Sequence, residues 1–396
     1  MRIKNSLSVL NKKKKVVFCK KCVNSSLRPR LKFDKNGVCY SCLYSIKKHR
    51  KINWKKREDE LLILLDKYRS KNGSHDIIVP SSGGKDSGYV AHILKYKYGM
   101  NPLAVSWAPG LYTKIGWLNL MAFCEKIDTL IYVPNRELHS KLSRIAFEEY
   151  GDIFQPWQYG MESYPQKVAI KHNIPLVMYG ENQWVEYSGG HLDEAGGENT
   201  LLRRKLNQNL RIKSGVDKLI EIGIKRKIFK KNYIKKNKLV EDYRLPKEEE
   251  TKKNNTKSYF FSYFKKWIPH QNFYYAAENC GLNCDIERTE GTFTKYASLD
   301  DKLDEIYFYF QYLKFGFGRC TSDASIEIRD GYISRKEGVN LVKLYDGEFP
   351  LRYIKDSLNY INITRKDFDR IVEKFRNKFI WKKNKKKKWE LINKVK

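Results

Sequence analysis

The sequence predicts an α/β fold, in which a parallel-sheet domain is preceded by a cysteine-rich segment and followed by a mainly helical region. Three observations support this prediction. Between residues 75 and 187, short runs of branched apolar residues alternate with helical patterns. Two Cys-x-x-Cys pairs lie before residue 50. Beyond Ser258 the chain is rich in aromatic residues at helical spacing.

The predicted strands are short, branched and uncharged at their centres, as strands buried on both faces are. They are Asp76–Pro80, Leu103–Trp107, Thr129–Val133 and Ile174–Tyr179. Helical segments lie between them, including Arg136–Tyr150 and Glu162–His172. Strands that alternate with helices indicate a parallel sheet covered on both sides.

Four regions follow from these patterns. They are the cysteine-rich segment with its linker (1–55), the α/β domain (56–200), a basic insertion (201–257) and the helical region with a lysine-rich tail (258–396). The insertion is polar and highly charged, so we expect it to be mobile. In the helical region we expect helices at Asp300–Phe315 and Asp367–Phe379.

The formal net charge of +33 is the unusual bulk property. Such a charge attracts polyanions, which makes nucleic acid and anionic membranes candidate partners. The lysines are nevertheless spread along the whole chain, as a bias that loads solvated surfaces with lysine would produce. A hydrophobic content of 41% excludes a generally disordered chain.

No apolar stretch approaches the length needed to cross a bilayer, and no apolar run of a signal peptide follows the N-terminal charges. We therefore expect a cytoplasmic protein without membrane insertion. The eight cysteines are then expected to be reduced, with metal binding favoured over disulfides.

The first predicted strand runs into Ser82-Gly-Gly-Lys-Asp-Ser87, and a helix follows. Glycines let backbone N–H groups approach an anion, and a helix N-terminus adds free donors and partial positive charge. We assign Gly83 and Gly84 to this backbone cradle and Lys85 to phosphate charge. Ser82 and Ser87 are expected to contact phosphate oxygens. Asp86 would be repelled by phosphate unless Mg²⁺ lay between them. The alternative is an ordinary strand-to-helix turn capped by Ser or Asp.

Two cysteine pairs, Cys19-x-x-Cys22 and Cys39-x-x-Cys42, enclose sixteen residues. This spacing is typical of a four-thiolate zinc site, in which each pair wraps one side of a tetrahedral ion. Because a closed four-cysteine site has no open position for a substrate, we expect a structural zinc ribbon. An iron–sulfur cluster or a redox pair is the alternative.

The loop resembles the Ser-Gly-Gly-x-Asp-Ser motif of the PP-loop ATP pyrophosphatase superfamily, an adenine nucleotide α-hydrolase-like fold. The resemblance implies that ATP adenylates an oxygen of a second substrate, that pyrophosphate leaves, and that a nucleophile then displaces AMP. It implies that ATP and Mg²⁺ are bound through the residues just assigned, with Lys85 and Asp86 taking part in catalysis.

Three further segments resemble the N-acetyl sugar amidotransferases of lipopolysaccharide and flagellin-glycan synthesis: Gly180–Gln183, Arg288–Asp304 and Lys314–Arg329. The resemblance implies that ammonia replaces an acetamido oxygen of a nucleotide-linked sugar. Glu181 and Asn182 follow the fourth strand, where ligands gather in such sheets, so we expect them to contact substrate or Mg²⁺.

The two C-terminal segments supply further candidates. Asp323 is a candidate to orient the acetamido group or to accept a proton from ammonia, the alternative being a helix N-cap. Arg288, Lys295 and Arg319 are candidates to bind the phosphates of the nucleotide sugar, the alternative being surface salt bridges.

None of the eight cysteines lies in a Gly-x-Cys-x-Gly elbow, so we expect ammonia to come from a separate protein. The family resemblance implies a partner like the glutaminase–cyclase pair of histidine synthesis. Nucleic acid is then not an expected partner. The alternatives are a tRNA-thiolating PP-loop enzyme, in which Cys320 could carry a persulfide, and a nucleic-acid-binding protein with a degenerate loop.

Overall fold

The structure is a computed structural model that describes residues 15–189, 210–230, 232 and 238–396. Residues 1–14 of the predicted N-terminal region lie outside the described residues. So do the end of the predicted α/β domain (190–200) and residues 201–209, 231 and 233–237 of the predicted basic insertion.

A five-stranded parallel sheet with the order β3-β2-β1-β4-β5 forms the centre of the fold. Its strands are β1 (Ile77–Pro80), β2 (Pro102–Trp107), β3 (Thr129–Tyr132), β4 (Leu176–Tyr179) and β5 (Lys257–Phe260). The four predicted strands are confirmed to within two residues at each end. The edge strand β5 was not predicted, because its lysine and serine hide the strand pattern.

The first helices of the described residues are α1 (Tyr40–Arg50), α2 (Trp54–Tyr68), α3 (Lys85–His92), α4 (Lys114–Cys124), α5 (Arg136–Tyr150), α6 (Gln155–Lys171), α7 (Gln183–Ser188), α8 (Leu210–Lys225) and α9 (Glu248–Lys253). They continue with α10 (Phe261–Phe264), α11 (Pro269–Cys280), α12 (Asp304–Phe315), α13 (Arg319–Asp330), α14 (Arg335–Tyr345), α15 (Ile354–Tyr360) and α16 (Arg365–Phe375). A π-helical turn, Ile93–Lys97, extends α3, and a 3₁₀-helix spans Lys238–Tyr243.

Alternation along the strands divides the core between the two faces of the sheet. In β1, Ile77 and Val79 belong to a cluster with α2, α3 and α4, whereas Ile78 packs on the other face against Val168 of α6. Both faces of a parallel sheet are buried because its crossover helices cover them. The alternating strand and helix pattern of the sequence therefore predicted this part of the fold correctly.

The described residues of the predicted insertion include helices with buried apolar residues, whereas its mobility stays a prediction. Helix α8, which is interrupted at Gly215, places Val216, Leu219 and Ile220 in a core shared with α5 and α6. Phe229 and Tyr243 are buried in the same cluster. Apolar residues at i, i+3 and i+4 are enough for one buried stripe, but the lysines on the exposed face dominate the composition.

The C-terminal helices form a core with the α/β domain. Phe310, Phe368 and Phe375 pack with Phe147 of α5 in one cluster. The lysine-rich tail is an antiparallel hairpin of β6 (Trp381–Lys383) and β7 (Trp389–Leu391), and Trp381 anchors it in that core. In the ranges that the structure describes, no helix combines the length and the apolar character that crossing a membrane requires.

Candidate active site and metal centre

The sheet order places the ends of β1 and β4 side by side. Strand β1 leads towards β2 on one side, whereas β4 begins the other side, so the chain reverses between them. In such sheets ligands bind in the crevice beyond the carboxyl ends at this switch point. The segment Ser81–Ser87 leaves β1 at this edge and Glu181 follows β4. The structure thus brings the two predicted site segments together.

The glycine loop is held by its own serines and by close packing. Ser81 Oγ donates to Ser87 Oγ (2.9 Å) and accepts from the N–H of Gly83 (3.1 Å). Gly83 has φ +79°, and a Cβ there would lie 2.6 Å from the Cα of Leu120. The turn therefore requires glycine at this position for both its backbone conformation and its space.

Helix α3 begins directly after the loop, with Gly84 as its N-cap. Helix α11 packs against this helix at Gly88, where a Cβ would lie in ordinary van der Waals contact with Cys280 Sγ at 3.5 Å. Across this contact, Asn272 Nδ2 donates to Asp86 Oδ1 at 3.0 Å. The other oxygen of Asp86 forms an ion pair with Lys85. The loop thus presents a lysine and an aspartate whose positions are fixed by a second helix.

Glu181 lies beside this pair. Burial and then the charge of Asp86 raise the pKa of its carboxyl, which Lys85 partly offsets, and the net pKa is about 7. Two carboxyl groups that repel each other beside this glycine turn fit a divalent cation, which prefers such oxygen ligands. Asp86 and Glu181 are therefore the residues that could hold Mg²⁺.

Tyr187, on α7, connects this group to the C-terminal region. Its pKa is raised first by burial, and the charges that act on it are those of Arg319, Glu181, Asp323 and Asp86. Of these side chains, Asp86 lies in the first turn of α3, Glu181 follows β4, and the other two lie on α13. The structure thus brings Lys85, Asp86, Glu181, Arg319 and Asp323 of the predicted site into one electrostatic neighbourhood.

Arg319 and Asp323 form a half-buried ion pair one turn apart on α13. Arg319 Nε lies 3.0 Å from Asp323 Oδ1, and Thr292 Oγ1 donates to Asp323 Oδ2 at 2.7 Å. The guanidinium also stacks on Phe308, with its Cζ 4.9 Å from the ring centroid. Gly318 is the N-cap of α13, so the alternative interpretation of Asp323 as an N-cap is wrong.

The remaining predicted contacts already have partners inside the protein. Asn182 is the N-cap of α7, where its Oδ1 accepts from the N–H of Trp184 at 3.2 Å. Both Nη groups of Arg288 donate to Glu348 at 2.7 Å, and Lys295 Nζ donates to the carbonyl of Ile286 at 2.8 Å. For these three residues the substrate-binding role stays a prediction. Ser82 is half-buried in the loop.

The four predicted metal ligands converge. Sγ atoms of Cys19, Cys22, Cys39 and Cys42 all lie within 4.8 Å of one another, and all four residues are buried. Cys19 Sγ also accepts from the N–H groups of Lys21 (3.3 Å), Cys22 (3.5 Å) and Cys39 (3.3 Å). Backbone N–H groups directed at sulfur stabilise thiolates, so the cluster could hold a zinc ion.

The described part of the cysteine-rich segment, residues 15–55, is called the cysteine module below, and it packs directly on the C-terminal region. Arg28 is buried, donates from Nη2 to Ser322 Oγ at 2.6 Å, and lies over the ring of Phe317 at 4.1 Å. Arg335 of α14 donates to the carbonyl of Cys19 at 3.3 Å. The module therefore contacts the loop and helix that carry Arg319.

Sequence reasoning missed two residues of this site. Tyr187 follows Glu181 on α7, and Asn272 lies in the first turns of α11, far from the loop in sequence. A tyrosine and an asparagine in helical segments carry no motif of their own. For Asn272, the sequence offers one weak signal, which is a polar residue near the start of a helix.

Comparison with known proteins gives a family match for the C-terminal part of the chain, which carries some of the site residues. Residues 290–396 match the family model described as LPS biosynthesis protein WbpG-like, C-terminal domain. The match includes Arg319 and Asp323. An uncharacterized protein of Methanocaldococcus jannaschii is 31% identical over 88 residues, which are 22% of this chain. The matched part spans 31% of that relative.

Proposed function

We propose that the protein is an ATP-dependent amidotransferase that converts the acetamido group of a nucleotide-linked sugar into an acetamidino group, for lipopolysaccharide or flagellin-glycan synthesis. The observation that supports the proposal is that charges from two parts of the chain act on Tyr187. Asp86 and Glu181 come from the nucleotide-type crevice, whereas Arg319 and Asp323 come from the WbpG-like segment. The proposal thus combines residues of a segment that matches a lipopolysaccharide biosynthesis family with a glycine loop of a kind suited to phosphate.

In the first half-reaction, the acetamido oxygen attacks the α-phosphorus of ATP and pyrophosphate leaves. Lys85 and the N–H groups of the Gly83-Gly84 turn would bind the phosphates in the crevice. Asp86 and Glu181 would hold Mg²⁺, which neutralises phosphate charge when bound. Asn272 keeps the Asp86 carboxylate directed into the crevice through its hydrogen bond.

In the second half-reaction, ammonia adds to the activated carbon, and AMP leaves with the former acetamido oxygen. One proton must leave the nitrogen, and Asp323 is the candidate acceptor on the α13 side. Arg319 binds the phosphates of the nucleotide sugar through its Nη groups, since its Nε is already directed to Asp323. Ammonia is supplied by a separate glutaminase–cyclase-like protein.

The proposal is tested with purified protein, ATP, Mg²⁺, ammonium and a series of UDP-diacetamido sugars. We expect AMP and pyrophosphate to form together with a sugar in which NH has replaced the acetamido oxygen. A heavy-oxygen label placed in the acetamido group should be recovered in AMP. Formation of ADP and phosphate, or a label that remains in the sugar, would contradict the mechanism.

The tRNA-thiolation alternative is less well supported by the surroundings of Cys320. Its thiol is fully buried, and burial together with the nearby charges of Asp346 and Asp323 raises its pKa. A persulfide carrier needs an accessible thiolate of lowered pKa. Stimulation of AMP formation by tRNA, lost in Cys320→Ser, would favour the alternative over the amidotransferase.

A further inference from the structure

Lys48 is a buried lysine at the end of α1, the helix that begins at the metal cluster. Cys39 is the N-cap of this helix and Cys42 lies in its first turn. Lys48 is 3% exposed. Its Nζ lies 2.8 Å from the carbonyl oxygen of Trp267, 3.3 Å from Glu186 Oε2 and 3.2 Å from Asp330 Oδ1. An ammonium has three N–H donors, and these three acceptors match them.

The three acceptors belong to three segments, and each segment carries part of the candidate site. Glu186 is on α7 directly before Tyr187. Asp330 is the last residue of α13, the helix that begins with Arg319. Trp267 precedes α11, which supplies the asparagine that holds Asp86. One side chain of the cysteine module thus joins the three elements around Tyr187.

Lys48 compensates the negative charges of two buried carboxylates, those of Glu186 and Asp330. The side chains of Glu186 and Asp330 are 8% and 2% exposed. Within the described part of the chain, Glu186 Oε1 and Asp330 Oδ2 accept no hydrogen bond. His49 Nε2 approaches Asp330 Oδ1 at 2.9 Å, and Arg329 donates to the backbone carbonyl of Glu186 at 3.0 Å. Without Lys48, two buried carboxylates would remain with incomplete compensation.

We propose that Lys48 is a positioning residue, through which the cysteine module sets the relative placement of α7, α11 and α13 around the substrate. Its catalytic consequence rests on the function proposed above, whereas its structural consequence does not. The cysteine module then has a positioning role in the active site, because its helix α1 carries the lysine that contacts α7, α13 and the residue before α11.

The test compares Lys48→Met with Lys51→Met, in which an exposed lysine three residues further along is replaced in the same way. Hydrogen exchange is followed at residues 183–189 and 319–330, together with metal content and binding of a non-hydrolysable ATP analogue. For Lys48→Met we expect exchange in both segments to accelerate about tenfold or more, because local opening requires less free energy. Metal content and analogue binding should stay within about twofold of the parent.

In turnover with the sugar, Lys48→Met should lower kcat by about tenfold or more and change the KM for ATP little, since the loop itself is intact. Lys48→Arg should recover part of kcat. Unchanged exchange in Lys48→Met, or equal effects in Lys51→Met, would overturn the proposal. A parent protein that forms no AMP would contradict the proposed function. Hydrogen exchange in the Lys48 variants would then still test whether Lys48 positions α7, α11 and α13.

If Lys48→Met does not fold, Glu186→Gln provides the second test, because it keeps the shape of the side chain and removes one charge of the network. We expect faster exchange in α1 and α7 and a lower kcat, with metal still bound. Parent-like exchange and parent-like turnover in this variant would also overturn the proposal.

Discussion

Asn272 donates to Asp86 across the contact between α11 and α3, at 3.0 Å. This bond and the ion pair with Lys85 fix the two oxygens of Asp86. Asn272→Ala should release one of them and lower kcat by about tenfold, with a smaller change in nucleotide affinity. Steady-state kinetics with varied ATP and Mg²⁺ measure this. Asn279→Ala on the same helix is the control. A parent-like kcat in Asn272→Ala would show that the bond is dispensable.

The glycine turn gives a matched pair of substitutions. Gly83 and Gly73 both have φ near +80°, but a Cβ at Gly73 meets nothing within 4 Å, whereas one at Gly83 lies 2.6 Å from Leu120 Cα. Both alanine variants carry the strain of a positive φ, about 1 kcal/mol. We expect Gly83→Ala to lose several times more stability and to lose ATP binding, which thermal unfolding and calorimetry measure. Equal losses in the two variants would argue against the steric explanation.

The raised pKa of Glu181 predicts that the stability of the folded protein depends on pH. Its pKa is raised to about 7 by burial and by the charge of Asp86, so the folded protein keeps a proton that the unfolded chain has lost. The folded state therefore binds more protons between the unfolded pKa, about 4.5, and pH 7, and stability falls as pH rises through this window. Glu181→Gln should remove this loss.

Relative to the parent, Glu181→Gln should gain on the order of 1 kcal/mol above about pH 7, and the gain should vanish near about pH 4. Urea titrations without nucleotide or Mg²⁺ across this range measure it. Glu249→Gln, at an exposed position, should show no such trend. A gain that is independent of pH would contradict the assignment. The same substitution should lower kcat if Glu181 helps to hold Mg²⁺.

The four-cysteine cluster predicts one zinc ion per chain. Cys22→Ser should lose the metal and destabilise the protein by about 2 kcal/mol or more, because the four ligands are buried and metal binding contributes to the free energy of folding. Atomic emission analysis and thermal unfolding are the measurements. Cys284→Ser, at an exposed position, should keep both metal and stability. Full metal content in Cys22→Ser would reject the site.

Two arginines of the C-terminal region should behave differently. Arg319→Lys keeps the charge and loses the planar guanidinium, so we expect the KM for the nucleotide sugar to rise about tenfold. In Arg288→Lys the pair with Glu348 is weakened, and we expect lower thermal stability with little change in KM. If the KM for the nucleotide sugar rose only in Arg288→Lys, we would infer that Arg288, and not Arg319, binds the phosphates.

The strands and the loop could be predicted because their signals are local. Ile77, Ile78 and Val79 have no charge to satisfy, and a strand followed by Gly-Gly and a helix is a short-range pattern. Strand β5 and the buried face of α8 could not be predicted this way. The sequence of β5 has the polarity of a loop, and it becomes a strand because the edge of β4 offers hydrogen-bond partners.

The sequence alone determined the α/β class, the glycine turn between a strand and a helix at 82–87 and the set of four cysteines that converge, since each depends on residues close together along the chain. The tertiary structure decided which distant groups meet. It placed Glu181 near Asp86 through the order of the strands, and it brought Arg319 and Asp323 of α13 close enough for all four charges to act on Tyr187. It also buried Lys48 among acceptors from three segments. Contacts of this kind arise from burial and compensation of charge over long separations in sequence, which no local pattern records.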